Sequence, residues 1–184
     1  MKKKVDHTKF KNNWFNKGAS TVVVILWYFI NVLFLINPIN PSSGIKKFWL
    51  RLFGATIGNN VLIKPGVNVK YPWKLKIGDN SWIGERVWID NLAEVTIGAN
   101  VCVSQGAYLL TGNHDYKKES FDLMIGKITV EDGAWIGAKS VVCPGVTVGT
   151  HAVLSVNSVA TKDLEAWKIY QGNPAIKVRE RVIS

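Results

Sequence analysis

His114 is the residue of this chain whose type and setting most favour chemistry. The sequence of 184 residues holds three histidines. His7 lies in a basic start where we expect it to be solvated, and His151 follows Gly149-Thr150 at a position that we expect to lie on the surface. His114 stands in the segment Asn113-His114-Asp115-Tyr116. A neutral imidazole, with a usual pKa of about 6.5, can take the proton of an attacking hydroxyl group and so act as a general base.

Few other side chains offer an alternative chemistry. The two cysteines, Cys102 and Cys143, have no neighbouring histidine in sequence, which disfavours a thiol nucleophile, and they suggest no disulfide framework. The sequence has no His-x4-His pair and no glycine-rich phosphate loop, so it predicts neither a zinc centre nor a nucleotide-binding domain. No nucleic-acid recognition motif accompanies the net charge of +10, and we expect no nucleic-acid partner.

A six-residue repeat forms the scaffold that must position His114. Apolar residues recur at this spacing at Ile57, Ile63, Val69 and Leu75, at Ile77, Ile83, Ile89 and Val95, at Ile97, Val103 and Leu109, and at Val130, Ile136, Val142, Val148, Leu154 and Ala160. This period fits neither an α-helix nor a plain alternating strand, but it is typical of a β-helix in which each hexad is a short strand and a turn. A β-sandwich would place its turn signals about every 8 to 12 residues, out of phase with the repeat.

The repeat therefore predicts an all-β fold, a parallel β-helix shaped as a triangular prism. Three hexads make one coil, and about five coils give a prism about 24 Å tall. We divide the chain into an N-terminal extension, 1–52, which we expect to be helical, the β-helix, 53–164, and a C-terminal tail, 165–184. A protruding loop, 111–129, breaks the repeats, and loops on a rigid scaffold commonly carry function.

The extension contains an apolar stretch, Thr21 to Ile36, which ends before Pro38. Its length falls short of the roughly 20 residues that span a bilayer, and no small-residue cleavage site follows it. Three interpretations stay open, and a true transmembrane span is one of them. The other two can both hold. The stretch is a helix packed on the prism or on a neighbouring subunit, or it is a helix in the membrane interface, aided by the lysines at positions 2, 3, 4, 9, 11 and 17.

Four segments make the chain resemble the hexapeptide-repeat acyltransferases, and within them the acetyltransferases of colanic acid and other exopolysaccharide biosynthesis. These segments are Phe53-Gly54-Ala55-Thr56-Ile57-Gly58, Thr111-Gly112-Asn113-His114-Asp115-Tyr116, Pro144-Gly145-Val146 and Gly172-Asn173-Pro174-Ala175. The resemblance implies a left-handed β-helix, although the general preference for right-handed crossovers argues the other way. It also implies a homotrimer with active sites between subunits.

The resemblance implies the role of His114, and the residues near its loop are candidates for the other roles at the site. His114 matches the catalytic base. Asp90 would orient its imidazole, with a corner turn residue as the open alternative. Asn91 and Asp115 would bind the acceptor, although Asp115 has loop capping as its alternative.

The cofactor site that the resemblance implies is larger. Trp135 matches a tryptophan near the thioester arm, and Lys162 and Arg179 match cations that meet the phosphates of CoA, or are ordinary surface charges. Ala138, Val156, Thr161 and Lys162 match the border of the CoA groove. The chain departs from the commoner Gly-Ala-Gly pattern around Val156, which leaves the details of that contact open.

Together these features predict an acetyl-CoA-dependent O-acetyltransferase that acts on a sugar hydroxyl, without a metal, in surface polysaccharide biosynthesis. The acceptor is a small-molecule or lipid-linked sugar. We expect a cytoplasmic protein, with peripheral contact at the inner face of the membrane left open. Transfer to another small hydroxyl or amine acceptor, and an inactive membrane-associated scaffold, are the alternatives.

Overall fold

The computed structural model describes residues 3–184, so Met1 and Lys2, the first lysine of the basic start, lie outside the described residues. The chain winds through five complete coils and begins a sixth, and each complete coil contains three short repeat strands. Equivalent strands of successive coils pair in parallel and form three sheets, A, B and C, the faces of the prism. Ile57 pairs with Ile77, and Ile77 with Ile97, so the first coils repeat every 20 residues.

The strands that form the three faces are short. Sheet A contains β1 (Thr56–Ile57), β4 (Leu75–Ile77), β7 (Val95–Ile97), β12 (Ile128–Val130) and β15 (Thr147–Val148). Sheet B contains β2 (Leu62–Ile63), β5 (Trp82–Ile83), β8 (Cys102–Val103), β13 (Trp135–Ile136), β16 (Val153–Leu154), β18 (Lys168–Gly172) and β19 (Ala175–Glu180). Sheet C contains β3 (Asn68–Val69), β6 (Trp88–Asp90), β9 (Tyr108–Leu110), β14 (Val141–Val142) and β17 (Val159–Ala160).

The repeated apolar residue of each hexad forms the core. Ile89, Leu109, Val130 and Leu154 are fully buried, as the repeat predicts. Glycine follows this residue where the next coil approaches closely. A Cβ added at Gly78 would lie 2.6 Å from the backbone nitrogen of Ala99 in the next coil, which leaves no room for a side chain.

Two helices pack against the first coil of the prism. Helix α1 (Thr21–Ile30) continues as π-helical turns over Asn31–Ile36, and α2 (Ser43–Leu52) follows. Trp27 of α1 is buried and its indole N–H donates to the carbonyl of Val69, 2.8 Å away. Before Thr21 the described chain has only a 3-10 turn, His7–Lys9, so the extension is helical in its second half alone.

Lys46 on α2 is an unusual part of this end of the molecule. Its side chain is fully buried, and its ammonium group donates to the carbonyls of Asn40 at 2.6 Å and Ser42 at 3.2 Å. Burial lowers the pKa of the Lys46 ammonium group, because the charged form loses its hydration. The two carbonyls replace part of that hydration and tie α2 to the segment before it.

The protruding loop contains a hairpin of its own. Strands β10 (Gly112–His114) and β11 (Leu123–Ile125) pair in antiparallel fashion, with His114 opposite Leu123. The hairpin leaves the prism after β9 of sheet C and returns to β12 of sheet A. His114 therefore lies at the edge of the prism where sheets C and A meet.

The C-terminal tail extends the prism. Strand β18 pairs in parallel with β16 of the fifth coil, and β19 folds back on β18 in antiparallel fashion. The segment Gly172-Asn173-Pro174-Ala175 forms the turn between them. The polar and aromatic tail is thus an added part of sheet B.

Candidate active site

A groove of about 590 Å³ runs along sheet B from the third coil to the tail strands β18 and β19. It is lined by Ser104, Gln105, Trp135, Gly137, Ala138, Val153, Leu154, Ser155, Val156, Ile169, Arg179 and Arg181. Four of the six cofactor residues expected from the sequence are among them: Trp135, Ala138, Val156 and Arg179. The structure therefore brings together residues that lie more than forty positions apart in the chain.

Trp135 is held in place on the wall of this groove. Its side chain is 46% exposed, and its indole N–H donates to the hydroxyl of Ser104, 2.8 Å away. The hydrogen bond crosses from the fourth coil to the third, where β13 pairs with β8. A large aromatic ring with a fixed orientation offers a flat apolar surface to a ligand in the groove.

Two arginines of the C-terminal tail lie at one end of the groove. Arg179, on β19, is exposed. Arg181 follows that strand, and its guanidinium donates to the carbonyls of Gly133 at 2.9 Å and His151 at 3.1 Å. Guanidinium groups carry several donors and suit phosphate oxygens. Sequence reasoning missed Arg181, although its spacing of two from Arg179 on a strand was a usable signal.

Thr161 and Lys162, also expected at the cofactor site, do not line this groove. Both side chains are exposed, just beyond β17 of sheet C. Their position on another face explains the difference, because sheet C and sheet B are separate sides of the prism. Within one chain, the cationic end of the groove is formed by Arg179 and Arg181.

A second cavity, of about 370 Å³, continues the groove toward the first coils. It shares Ser104 and Gln105 with the upper groove and is otherwise lined by Leu62, Lys64, Trp82, Ile83, Gly84, Glu85, Cys102 and Val103. Trp82 is 59% exposed. This half combines an aromatic surface with a cation, a carboxylate and an amide, the groups that bind a molecule rich in hydroxyls.

His114 has a fixed orientation in the loop hairpin. Its Nδ1 lies 2.8 Å from the carbonyl oxygen of Phe121, and its ring stacks on the Phe121 ring with centroids 4.5 Å apart. A carbonyl can only accept a hydrogen bond, so the neutral imidazole carries its proton on Nδ1 and leaves the Nε2 lone pair free. This is the form that a general base requires.

The start of the chain packs on the same loop. We call residues 6–10 the strap. The backbone N–H of Asp6 donates to the carbonyl of Glu119 at 2.9 Å, and the ammonium group of Lys9 lies 2.7 Å from the Glu119 carboxylate. The ring of Phe10 lies 5.8 Å from the ring of His114. No feature of the sequence predicted this contact.

Within the chain, Asp90 has partners other than His114. Its carboxylate lies 2.8 Å from the ammonium group of Lys70, and it accepts a hydrogen bond of 3.2 Å from the hydroxyl of Tyr108. Burial, aided by the negative charge of Asp90, raises the pKa of Tyr108 to about 12. The place expected for Asp90 is taken by the carbonyl of Phe121.

Asn91 and Asp115, the two residues expected to bind the acceptor, have structural partners. Asn91 is fully buried, and its amide accepts from the backbone nitrogen of Tyr71 at 2.9 Å and donates to the Tyr71 carbonyl at 2.6 Å. Both ends of its amide thus have partners within the chain. Asp115 accepts from the backbone nitrogen of Lys117 at 3.1 Å, as a loop cap does.

His151 is not the surface residue that the sequence suggested. Its ring stacks on Trp167, parallel and with centroids 4.1 Å apart, and its Nδ1 is buried. The tail, which supplies Trp167, covers this histidine, and a six-residue repeat gives no indication of that cover. Among residues 3–184 there is no cluster of three or more His, Cys, Asp or Glu side chains that could hold a metal ion.

The candidate base and the groove lie on different sides of one chain. The loop hairpin emerges between sheets C and A, whereas every part of the groove is on sheet B and its tail strands. In a triangular prism, the edge between two faces is opposite the third face. His114 of a chain therefore does not reach the groove of that same chain.

Comparisons with known proteins agree with this architecture. The family model described as a hexapeptide repeat of succinyl-transferase matches residues 74–110 and 127–162. The chain is 39% identical to the "Putative colanic acid biosynthesis acetyltransferase WcaF" of Escherichia coli K12 over 90% of this chain and 91% of that protein. It is 32% identical to the galactoside O-acetyltransferase of the same organism, over 81% of this chain and 75% of that protein.

Solved structures share the fold. A hexapeptide-repeat acetyltransferase of Vibrio cholerae, VCA0836, superposes with a TM-score of 0.80 at 23% identity, covering 90% of this chain and 96% of that one. Galactoside acetyltransferase in complex with coenzyme A gives a TM-score of 0.77 at 26% identity, over 86% and 80%. The β-helix is left-handed, as the resemblance implied. On the identity and coverage shared with these relatives, the chain belongs to the hexapeptide-repeat acetyltransferase family.

Proposed function

We propose that this protein moves the acetyl group of acetyl-CoA to a hydroxyl of a sugar in surface polysaccharide biosynthesis, with His114 as the general base. The observation that carries the proposal is the pair of adjoining cavities on sheet B, which share Ser104 and Gln105 and are cationic at one end and aromatic and polar at the other. The relatives support the same class of reaction, since one is named a putative colanic acid biosynthesis acetyltransferase and another a galactoside O-acetyltransferase.

Acetyl-CoA fits the groove in one direction. Its phosphates suit the end formed by Arg179 and Arg181, and its long pantetheine arm suits the apolar middle past Val156 and Trp135. The thioester would then lie near Ser104 and Gln105, where the two halves of the groove meet. The acceptor sugar would occupy the other half, against the exposed ring of Trp82.

The reaction needs a base but no covalent intermediate. Nε2 of His114 takes the proton of the sugar hydroxyl while the hydroxyl oxygen attacks the thioester carbonyl. The tetrahedral intermediate collapses, the carbon–sulfur bond breaks, and the imidazolium returns the proton to the CoA thiolate. General base catalysis contributes about 10²- to 10⁴-fold. Backbone N–H groups would stabilise the oxyanion.

A cyclic homotrimer would complete this site. The outward residues of sheet A are polar, with Thr56, Lys76, Thr96, Thr129 and Thr147 in one row. Sheets B and C instead expose aromatic side chains, such as Trp82 and Trp88, which are 59% and 43% exposed. Exposed apolar surfaces of this kind favour contact between subunits. We therefore infer that sheets B and C face neighbouring subunits and sheet A faces water.

The height of the residues along the prism supports the same arrangement. The loop hairpin leaves between the third and fourth coils, and Ser104 and Trp135 lie on the third and fourth coils of sheet B. Rotation about an axis parallel to the prism preserves height. His114 of one subunit would thus meet the groove of the next at the place where the thioester is expected.

The acceptor and the place of action belong to the same proposal. A small-molecule or lipid-linked sugar would be the acceptor, in the cytoplasm, with peripheral contact at the inner face of the membrane. The similarity to WcaF, named for colanic acid biosynthesis, supports the polysaccharide role. No helix in the described part of the chain is long and apolar enough to cross a membrane.

Release of free CoA thiol tests the function. Purified protein with acetyl-CoA should release thiol faster when sugars, sugar nucleotides or lipid-linked sugars are added, and mass spectrometry should find an acetyl ester. His114→Ala should lower kcat at least about 10²-fold with KM for acetyl-CoA nearly unchanged. An N-acetyl product would favour amine acceptors, no turnover with any acceptor would favour the scaffold, and near-normal kcat in the variant would contradict the role of His114.

A further inference from the structure

Helix α1 and its π-helical continuation are apolar on both sides. One side, with Trp27 and Leu35, is buried on the prism. The other forms an exposed stripe of Val22, Ile25, Leu26, Phe29, Val32 and Leu33, each between 39% and 66% exposed. Their spacing of three and four places them along one helical face. A surface helix normally directs polar residues to solvent, so this stripe needs a partner.

Helix α2 carries an exposed apolar stripe of its own. Ile45, Phe48 and Leu52 are 44%, 59% and 62% exposed, at a spacing of three and four. Phe34 of the π-helical turns stacks on Trp49 of α2, with ring centroids 5.2 Å apart, so the two helical segments are joined through an aromatic contact. Lys47 and Arg51 flank Phe48 and Leu52 on the same shallow surface.

Charge indicates the kind of partner. Residues 1–52 contain nine of the 23 lysines and arginines but only one of the 13 acidic residues, so this part of the chain holds most of the net charge of +10. Lys17, three residues before the N-cap of α1, is exposed, and Lys47 and Arg51 lie beside the apolar residues of α2. An apolar helical face flanked by cations matches the chemistry of an anionic lipid surface, where acyl chains and headgroup phosphates lie side by side.

We propose that α1, its π-helical continuation and α2 form a docking face for an anionic lipid bilayer. The stripe enters the boundary between headgroups and acyl chains, and Lys17, Lys47 and Arg51 contact the phosphates. The segment spans no bilayer, because its inner side is fixed to the prism through Trp27. The protein therefore lies on the membrane, and the same helices bury one face in the protein and one in the lipid.

A second copy of this chain is the competing occupant, and charge argues against it. Symmetric contact between two such faces would bring their lysines together, which is unfavourable. The trimer inferred above also leaves this face unexplained, since it needs only sheets B and C and the loop hairpin. An anionic bilayer offers acyl chains to the apolar stripe and phosphate groups to the cations beside it.

Vesicle sedimentation with the full-length protein tests the proposal. We expect the protein to pellet with phosphatidylglycerol vesicles, to pellet far less with phosphatidylcholine vesicles, and to be released by high salt. The triple variant Leu26→Ser, Phe29→Ser, Leu33→Ser should lower the partition coefficient at least about tenfold. The matched control is Ile176→Ser with Val182→Ser, two residues 65% and 87% exposed on the tail, which should bind as the unmodified protein does.

Light scattering of each variant separates the two occupants. An unchanged oligomeric mass in the triple variant, together with lost vesicle binding, supports the lipid face. A changed mass would identify the stripe as a contact between copies and overturn the proposal, as would failure of the unmodified protein to pellet. Equal binding to both lipids would overturn the role of anionic lipid. None of these measurements involves acetyl transfer, so they stand apart from the proposed activity.

Discussion

The imidazole of His114 and the phenyl ring of Phe121 lie parallel, with centroids 4.5 Å apart, while Nδ1 of the histidine lies 2.8 Å from the Phe121 carbonyl oxygen. A single residue of the loop thus fixes both the plane of the imidazole and the nitrogen that carries its proton. The position of this base depends on whatever holds the loop in shape. Among the described residues, the strap is one such contact.

The contact between the strap and the loop should matter for turnover. Glu119→Lys places two cations together where Lys9 and Glu119 now pair at 2.7 Å. The pair is exposed, so the effect should be small, and we expect kcat to fall about two- to fivefold with KM for acetyl-CoA unchanged. The double variant Lys9→Glu, Glu119→Lys should recover most of this loss.

Lys11→Glu is the control for that experiment, because Lys11 is exposed and close in sequence to the strap. It changes the charge of the chain start without touching the Lys9–Glu119 pair. Equal losses in Lys11→Glu and Glu119→Lys would trace the effect to net charge. A failure of the double variant to recover activity would rule out the ion pair as the cause.

The two cations considered for the CoA phosphates should differ. Arg179 lines the groove and Lys162 does not. Arg179→Ala should raise KM for acetyl-CoA about fivefold while kcat at saturation is kept, because ground-state and transition-state binding are lost together. Its effect should shrink in high salt.

Lys162→Ala supplies the comparison in the same kinetic assay. The arrangement within one chain predicts little change in its KM. A larger effect from Lys162→Ala than from Arg179→Ala would mean that the phosphates lie along the edge of sheet C, as the family resemblance alone implied. The direction in which acetyl-CoA is proposed to lie in the groove would then need to be revised.

Asn91 should prove to be a structural residue. Asn91→Ala leaves the backbone N–H and carbonyl of Tyr71 buried without these partners. We expect the free energy of unfolding to fall by about 2 kcal/mol or more, as measured by denaturant titration. Asn59→Ala, on an exposed corner, should change it by less than about 0.5 kcal/mol. If Asn91→Ala instead kept full stability and raised KM for the sugar, the acceptor role first expected for it would be correct.

The sequence predicted the β-helix well because the fold requires a buried apolar residue in every short strand, and this requirement appears directly as a period of six. Each buried residue of the prism, such as Ile89 or Leu154, stands at a fixed interval of six, and a close approach between coils requires Gly78. The family resemblance, and not the repeat, pointed to Trp135 and Ala138, which line the groove.

The details around the base could not be read in this way. The acceptor of His114 is a backbone carbonyl, and a carbonyl belongs to every residue, so Phe121 carries no special signal. Asn91 looks like a binding residue by type, whereas its burial and its hydrogen bonds to Tyr71 favour a structural role. His151 was predicted to be a surface residue because Trp167, whose ring stacks on it, comes from a tail outside the repeat.

Complementation between two inactive variants would test the shared active site most directly. His114→Ala lacks the base and keeps the groove. Ala138→Trp keeps the base and fills the groove that Ala138 lines. Each variant alone should be nearly inactive, provided that both remain folded and trimeric.

Co-expression of the two variants in equal amounts gives mixed trimers. If each site takes His114 from one subunit and the groove from the next, about one interface in four joins an intact base to an intact groove. We therefore predict that the mixture recovers about a quarter of the kcat of the unmodified trimer, since the subunits combine at random. Activity of the mixture no higher than that of the two variants alone would contradict a site shared between subunits.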